Sequence, residues 1–165
     1  MKAQPRFPLT AAFHEAGHAV ATVFVGAPIT DTEVFADGRG IQRGSWDDWY
    51  TGSSGAVAIL ELVLVFMAGP HAEARASKRA LGLVRMSNGV KDYASADVLI
   101  EIMVERGYMA SKRAGWKRAD AERAVFLRTH WPMIDAVAIR LAERGIVRAA
   151  ELKRICRHFA LPGTE

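Results

Sequence analysis

The sequence predicts a mainly α fold with a small β-hairpin or sheet beside its first helix. Three observations predict it. Apolar residues recur at three- and four-residue intervals through most of the chain, as on the buried face of a helix. Glycine and proline break that rhythm at a few places, at Gly26 with Pro28 and at Gly69-Pro70. A single stretch, Ile29 to Trp46, lacks the helical period and carries the turn signal Asp37-Gly38-Arg39-Gly40 between two short extended runs. With 165 residues, 50% of them hydrophobic, the chain can bury one core, and a single domain over 1–165 is expected.

The first helix is expected from Thr10 to Val25, with Phe13, Ala16, Val20, Val23 and Phe24 as its apolar face. In the hairpin segment Ile29, Asp31, Glu33 and Phe35 alternate imperfectly. Asp47 to Gly55 is polar and aromatic and reads as a loop, with Trp46 and Trp49 placed to rim a cleft. Ala56 to Ala68 is the most hydrophobic run; Gly69-Pro70 marks its end and the start of a further helix reaching Arg79. Leu81 to Gly89 has no period and reads as a loop. Ala96, Leu99, Ile100, Met103 and Val104 give a helix from Asp92 to about Arg106. Trp116 to Arg144 is a long helix that Pro132 should kink or divide, and Ala149 to Phe159 closes the chain as a helix.

Composition narrows the function classes. Cys156 is the only cysteine, so no intramolecular disulfide forms, and no signal-peptide pattern opens the chain. A cytoplasmic location is expected. Ala56 to Ala68 is shorter than the roughly 20 residues a membrane span requires, and it carries Glu61, so it reads as a buried helix and no membrane span is expected. Residues 112–165 hold 12 Lys and Arg against 6 Asp and Glu. That excess comes without zinc-finger spacing or interleaved aromatics, so it reads as a solvated helix face and no specific nucleic acid is expected.

The chemistry lies in His14-Glu15-Ala16-Gly17-His18. Histidines four apart on a helix lie on one face, one turn apart, so His14 and His18 can offer ring nitrogens to one metal ion. Zinc (Zn2+) held by two neutral imidazoles and a carboxylate keeps a position open for water, and Glu15 stands next to it as a general base. Gly17 sits inside the helix, where glycine costs about 1 kcal/mol relative to alanine, and it marks a close approach by another segment. No third histidine follows at short spacing. By residue type the third ligand is one of Glu61, His71, Glu73, Asp92 and Asp97, and spacing does not choose among them. His130 and His158 read as surface residues, and Cys156 as core.

With these motifs the chain resembles the peptidase domain of the FtsH family of ATP-dependent zinc metallopeptidases. The resemblance is carried by Ala12-Phe13-His14-Glu15-Ala16-Gly17-His18-Ala19-Val20, by Met67-Ala68-Gly69-Pro70-His71-Ala72-Glu73, and by Gly89-Val90-Lys91-Asp92 ahead of Ala96. It implies an FtsH-type helical peptidase fold, His14, His18 and Asp92 as zinc ligands, and Glu15 as catalytic base. It also implies a polypeptide substrate lying as an added strand along Gly40 to Ser45. The chain departs from the family in having no phosphate-binding loop or membrane anchor, so a stand-alone peptidase domain is expected, acting on flexible or unfolded segments or beside a separate ATPase or unfoldase. Pro70 and His71 replace the usual residues, and Lys91 stands where a polar uncharged residue is common. The rival from another class is a non-catalytic zinc-stabilised binding module, against which the presence of Glu15 argues.

Overall fold

The first helix, α1 (Leu9–Phe24), forms where predicted and is buried along nearly its whole length, from Ala11 to Thr22. Ala12, Ala16 and Ala19 leave one face of it small, and Gly17 admits the next long helix closely. The computed structural model describes residues 5–44 and 55–159 of the chain. The tryptophans expected at the cleft rim, the loop from Asp47 and the end of the expected substrate strand at Ser45 lie outside these residues.

After α1 the hairpin forms as read, with β1 (Asp31–Val34) antiparallel to β2 (Gly40–Arg43) and Glu33 opposite Ile41. Thr32 and Val34 turn inward, while Asp31 and Glu33 lie on the other face, where both bind the Arg43 guanidinium. Next come α2 (Ala56–Ser77), the short α3 (Leu81–Arg85) and α4 (Val90–Glu105). The chain continues with α5 (Lys112–Arg144), β3 (Ile146–Arg148) and α6 (Ala149–Phe159). The sheet order is β2-β1-β3, all antiparallel, which leaves β2 at one edge. The mainly helical architecture with a small sheet is therefore as the sequence predicts.

The end of a helix at Pro70, the division of the long helix at Pro132 and the loop at Leu81 to Gly89 are corrected, and a third strand is added. Pro70 does not end a helix: α2 runs through it, because residues on both sides, from Ile59 to Glu73, are buried and their packing outweighs the roughly 3 kcal/mol penalty of an interior proline. As a result α2 has 22 residues and is long and apolar enough to cross a membrane; 67% of its apolar window is buried within the fold, as in a core helix. Pro132 likewise leaves α5 undivided, with Phe126 and Leu127 before it and Ile134, Val137 and Ala138 after it all in the core. Leu81 to Gly89 holds a single helical turn anchored by the fully buried Val84, too short to show a period. The third strand was not foreseen: three residues after the left-handed Gly145 (φ +78°) are too few to alternate.

Two apolar clusters hold these elements. One joins α1 to α5, α6 and the sheet through residues such as Val20, Val34, Leu141 and Leu152. The other joins α2 to α4 and the start of α5 through Ile59, Val63, Met67, Ile100 and Ala119. Of the apolar face expected on α1, Phe24 is 56% exposed, its ring tilted against Phe126 and edge-on to His130 at the helix end. Cys156 is buried as expected, and burial pushes its thiol up to about 11.

Candidate metal centre

Close approach of α1 and α2 builds the site. A Cβ on Gly17 would stand 2.5 Å from the Ala68 carbonyl oxygen and 2.9 Å from the Ala72 Cβ, so only glycine permits this spacing. Gly69, the residue after Ala68, lies directly under the His18 ring, where any side chain would overlap Nε2. The pair read as a helix stop, Gly69-Pro70, is thus a place where helix and histidine meet.

Both imidazoles are fixed from behind by α2. His18 Nδ1 donates to the Val65 carbonyl at 2.8 Å. A carbonyl only accepts, so Nδ1 carries the proton and neutral His18 presents a lone pair at Nε2. His14 Nδ1 donates to Glu73 Oε2 at 2.9 Å. Glu73 is fully buried, and its other oxygen accepts from Asn88 at 2.9 Å and Arg79 at 3.4 Å. Glu73, one of the five candidate ligands, therefore holds the back of His14. This is the pattern of a carboxylate orienting a metal-binding histidine.

The front of both rings faces Asp92, in the first turn of α4. Its Oδ2 is 3.2 Å from His14 Nε2 and its Oδ1 is 3.4 Å from His18 Nε2. A ligand atom from each of the three residues lies within 4.8 Å of the others. Two nitrogen lone pairs aimed at a carboxylate repel unless a cation lies between them. Tetrahedral zinc with bonds of about 2.0–2.1 Å sets adjacent donors about 3.3–3.4 Å apart, and the two separations, each to a different Asp92 oxygen, are of that order. The donor set therefore fits zinc, with three protein ligands and an open position.

Without metal, a proton takes the cation's place. Burial alone would push His14 down, but hydrogen bonds with Asp92 and Glu73 outweigh it and hold the imidazolium up to about 9. For Asp92 burial pushes upward, yet the two histidines hold it well below the usual carboxylate range. Glu15, buried beside them, is raised by desolvation, which the charges of His18 and His14 only partly offset. Its carboxylate packs on the backbone of Gly40 in β2, so closely that a Cβ there would overlap it.

The remaining candidates lie elsewhere. His71, another of the five candidates, is buried, and it hydrogen-bonds the Tyr93 hydroxyl at 2.7 Å. Burial lowers its pKa to about 3, so it is a neutral core group. Asp97 binds Lys112 and the Trp116 indole, and Glu61 lies on a half-buried face of α2. The three predicted ligands and Glu15 line one cleft of about 470 Å3. A larger apolar hollow of about 930 Å3, between the end of α1, α5 and α6, includes none of them. In comparisons with known proteins, no family model and no curated protein matches the chain.

Proposed function

We propose that this chain is a zinc-dependent endopeptidase of the FtsH type, with His14, His18 and Asp92 holding the metal and Glu15 as general base. One observation carries the reading: both Nδ1 protons are committed to α2, so both Nε2 lone pairs converge on one carboxylate with a second carboxylate, Glu15, beside them and without an ion pair among the described residues. A structural zinc has no use for that extra carboxylate and closes its shell with four protein ligands.

Zinc bound there would polarise a peptide carbonyl and make a neighbouring water acidic enough to serve as nucleophile near neutral pH. Glu15 accepts the proton of the attacking water and returns it to the leaving amine, so no covalent intermediate forms. Its raised pKa suits the return of the proton, while a bound dication would act as the nearby histidine charges do and favour the ionised carboxylate that accepts it. Glu73 and the Val65 carbonyl keep the imidazoles aimed. The edge strand β2, whose Gly40 packs on Glu15, is where an extended segment would run past the base. Flexible or unfolded segments suit such a cleft.

The test is metal content together with cleavage of an unfolded casein-like chain. The expected result is about one zinc per chain and cleavage in the wild type, zinc without cleavage in Glu15→Gln, and loss of zinc in Asp92→Ala. A wild type that holds zinc and never cleaves supports the non-catalytic binding module instead, and one that holds no zinc refutes the metal centre.

A further inference from the structure

We propose that Lys91 makes the cleft select peptides that carry a carboxylate close to a large apolar residue. This rests on the peptidase reading above. The apolar half comes from the walls: Leu62, Val65 and Phe66 of α2 face the reacting groups from one side and Ile41, 41% exposed, from β2 on the other. The charged half follows from which charges are already matched. A bound dication balances Asp92 and Glu15. Arg43, beyond Ile41 on β2, is held by Asp31 and Glu33, and Arg39 is held by Asp37.

Lys91, immediately before Asp92 at the start of α4, lines the same cleft, is exposed, and makes no ion pair among the described residues. It is the only Lys or Arg among the described residues lining the cleft, so its charge is what a bound peptide meets once the metal and carboxylates cancel. Apolar walls lower the local dielectric and strengthen its pull on an anion. The shared chemistry is a carboxylate, supplied either by an Asp or Glu side chain or by the free end of the peptide.

The test uses zinc-loaded protein and quenched fluorescent peptides with one common Leu-containing core, in three forms: neutral with an amidated end, Asp-containing with an amidated end, and neutral with a free carboxyl end. The expected result is that one or both carboxylate forms exceed the neutral form about two- to fivefold in kcat/KM, as for an exposed ion pair, and the preferred form identifies the source. In Lys91→Met the ratio falls to about one, and in Lys91→Glu it inverts, with zinc content measured on each to show that Asp92 still binds. A wild-type ratio of one, or a ratio that persists in Lys91→Met, overturns the inference while cleavage of the neutral peptide leaves the peptidase reading standing. Failure to cut any peptide or an unfolded casein-like chain refutes that reading and the inference with it.

Discussion

Replacing Gly17 with alanine sets two effects against each other, and the structure decides between them. Alanine inside a helix is favoured over glycine by about 1 kcal/mol. The new Cβ, however, would stand 2.5 Å from the Ala68 oxygen, where a carbon and an oxygen rest at about 3.3 Å or more. Helices α1 and α2 must therefore part locally by about 0.8 Å, and overpacking of this kind costs roughly 1–3 kcal/mol. A net loss of up to about 2 kcal/mol is expected in urea unfolding of the metal-free protein. The same displacement acts on the hydrogen bonds that cross the gap. His14 to Glu73 at 2.9 Å and His18 to Val65 at 2.8 Å would stretch past the roughly 3.2 Å limit of a good bond. Zinc affinity, read by chelator competition, should then fall about 10- to 100-fold, the usual effect of losing orienting partners. A Gly17→Ala protein that gains about 1 kcal/mol and binds zinc as tightly as the wild type would refute this account of the helix contact.

Glu73→Gln should keep the fold but lower zinc affinity about 10- to 100-fold, because an amide has one acceptor oxygen where Glu73 uses two, and cannot accept from His14 on one side and from Arg79 and Asn88 on the other; equal affinity in the competition assay would remove its orienting role. Zinc uptake must displace the proton that His14 keeps up to about 9, so affinity should climb about tenfold per pH unit towards that value and flatten above it, with proton release seen by calorimetry in buffers of different ionisation enthalpy. Because the folded pKa of His14 lies above its ordinary 6.5, its contribution to metal-free stability is complete below 6.5 and is lost as pH rises through about 9, which thermal melts of metal-free protein across that window should show. Tyr93→Phe strips the buried His71 of its partner and should cost about 1–3 kcal/mol in urea unfolding while leaving one zinc per chain; a lost zinc would place His71 in the metal site after all.

How much of this was legible in the sequence depends on how far apart the cooperating groups lie. His14, Glu15 and His18 belong to one helix, so their spacing alone puts them on one face. Asp92 comes from another helix, and residue type left it among five candidates; the resemblance to a family, not periodicity, singled it out. The Val65 carbonyl carries no letter of its own and no sequence signal. Glu73 did leave a trace, an acid amid small and apolar residues four places after Gly69, but a trace compatible with ligand, orienting group or surface charge. Gly69-Pro70 misled for a physical reason: both residues break isolated helices, and the packing that carries α2 through them is tertiary.

The same comparison explains why orientation, rather than residue type, separates the two carboxylates that meet His14. Glu73 binds its Nδ1 and Asp92 its Nε2, at 2.9 and 3.2 Å. Their ionic contacts with that ring are nearly alike. What differs is the second histidine: the Val65 carbonyl takes its Nδ1 proton, so its remaining lone pair points to Asp92 and away from α2. Glu73, engaged by two further donors, is spoken for on both oxygens, whereas each Asp92 oxygen faces a nitrogen with no proton of its own to give when the histidines are neutral. A cation would be accommodated at one of these positions and not at the other, and that asymmetry is the argument for Asp92 as the ligand of the proposed centre, with Glu73 behind His14.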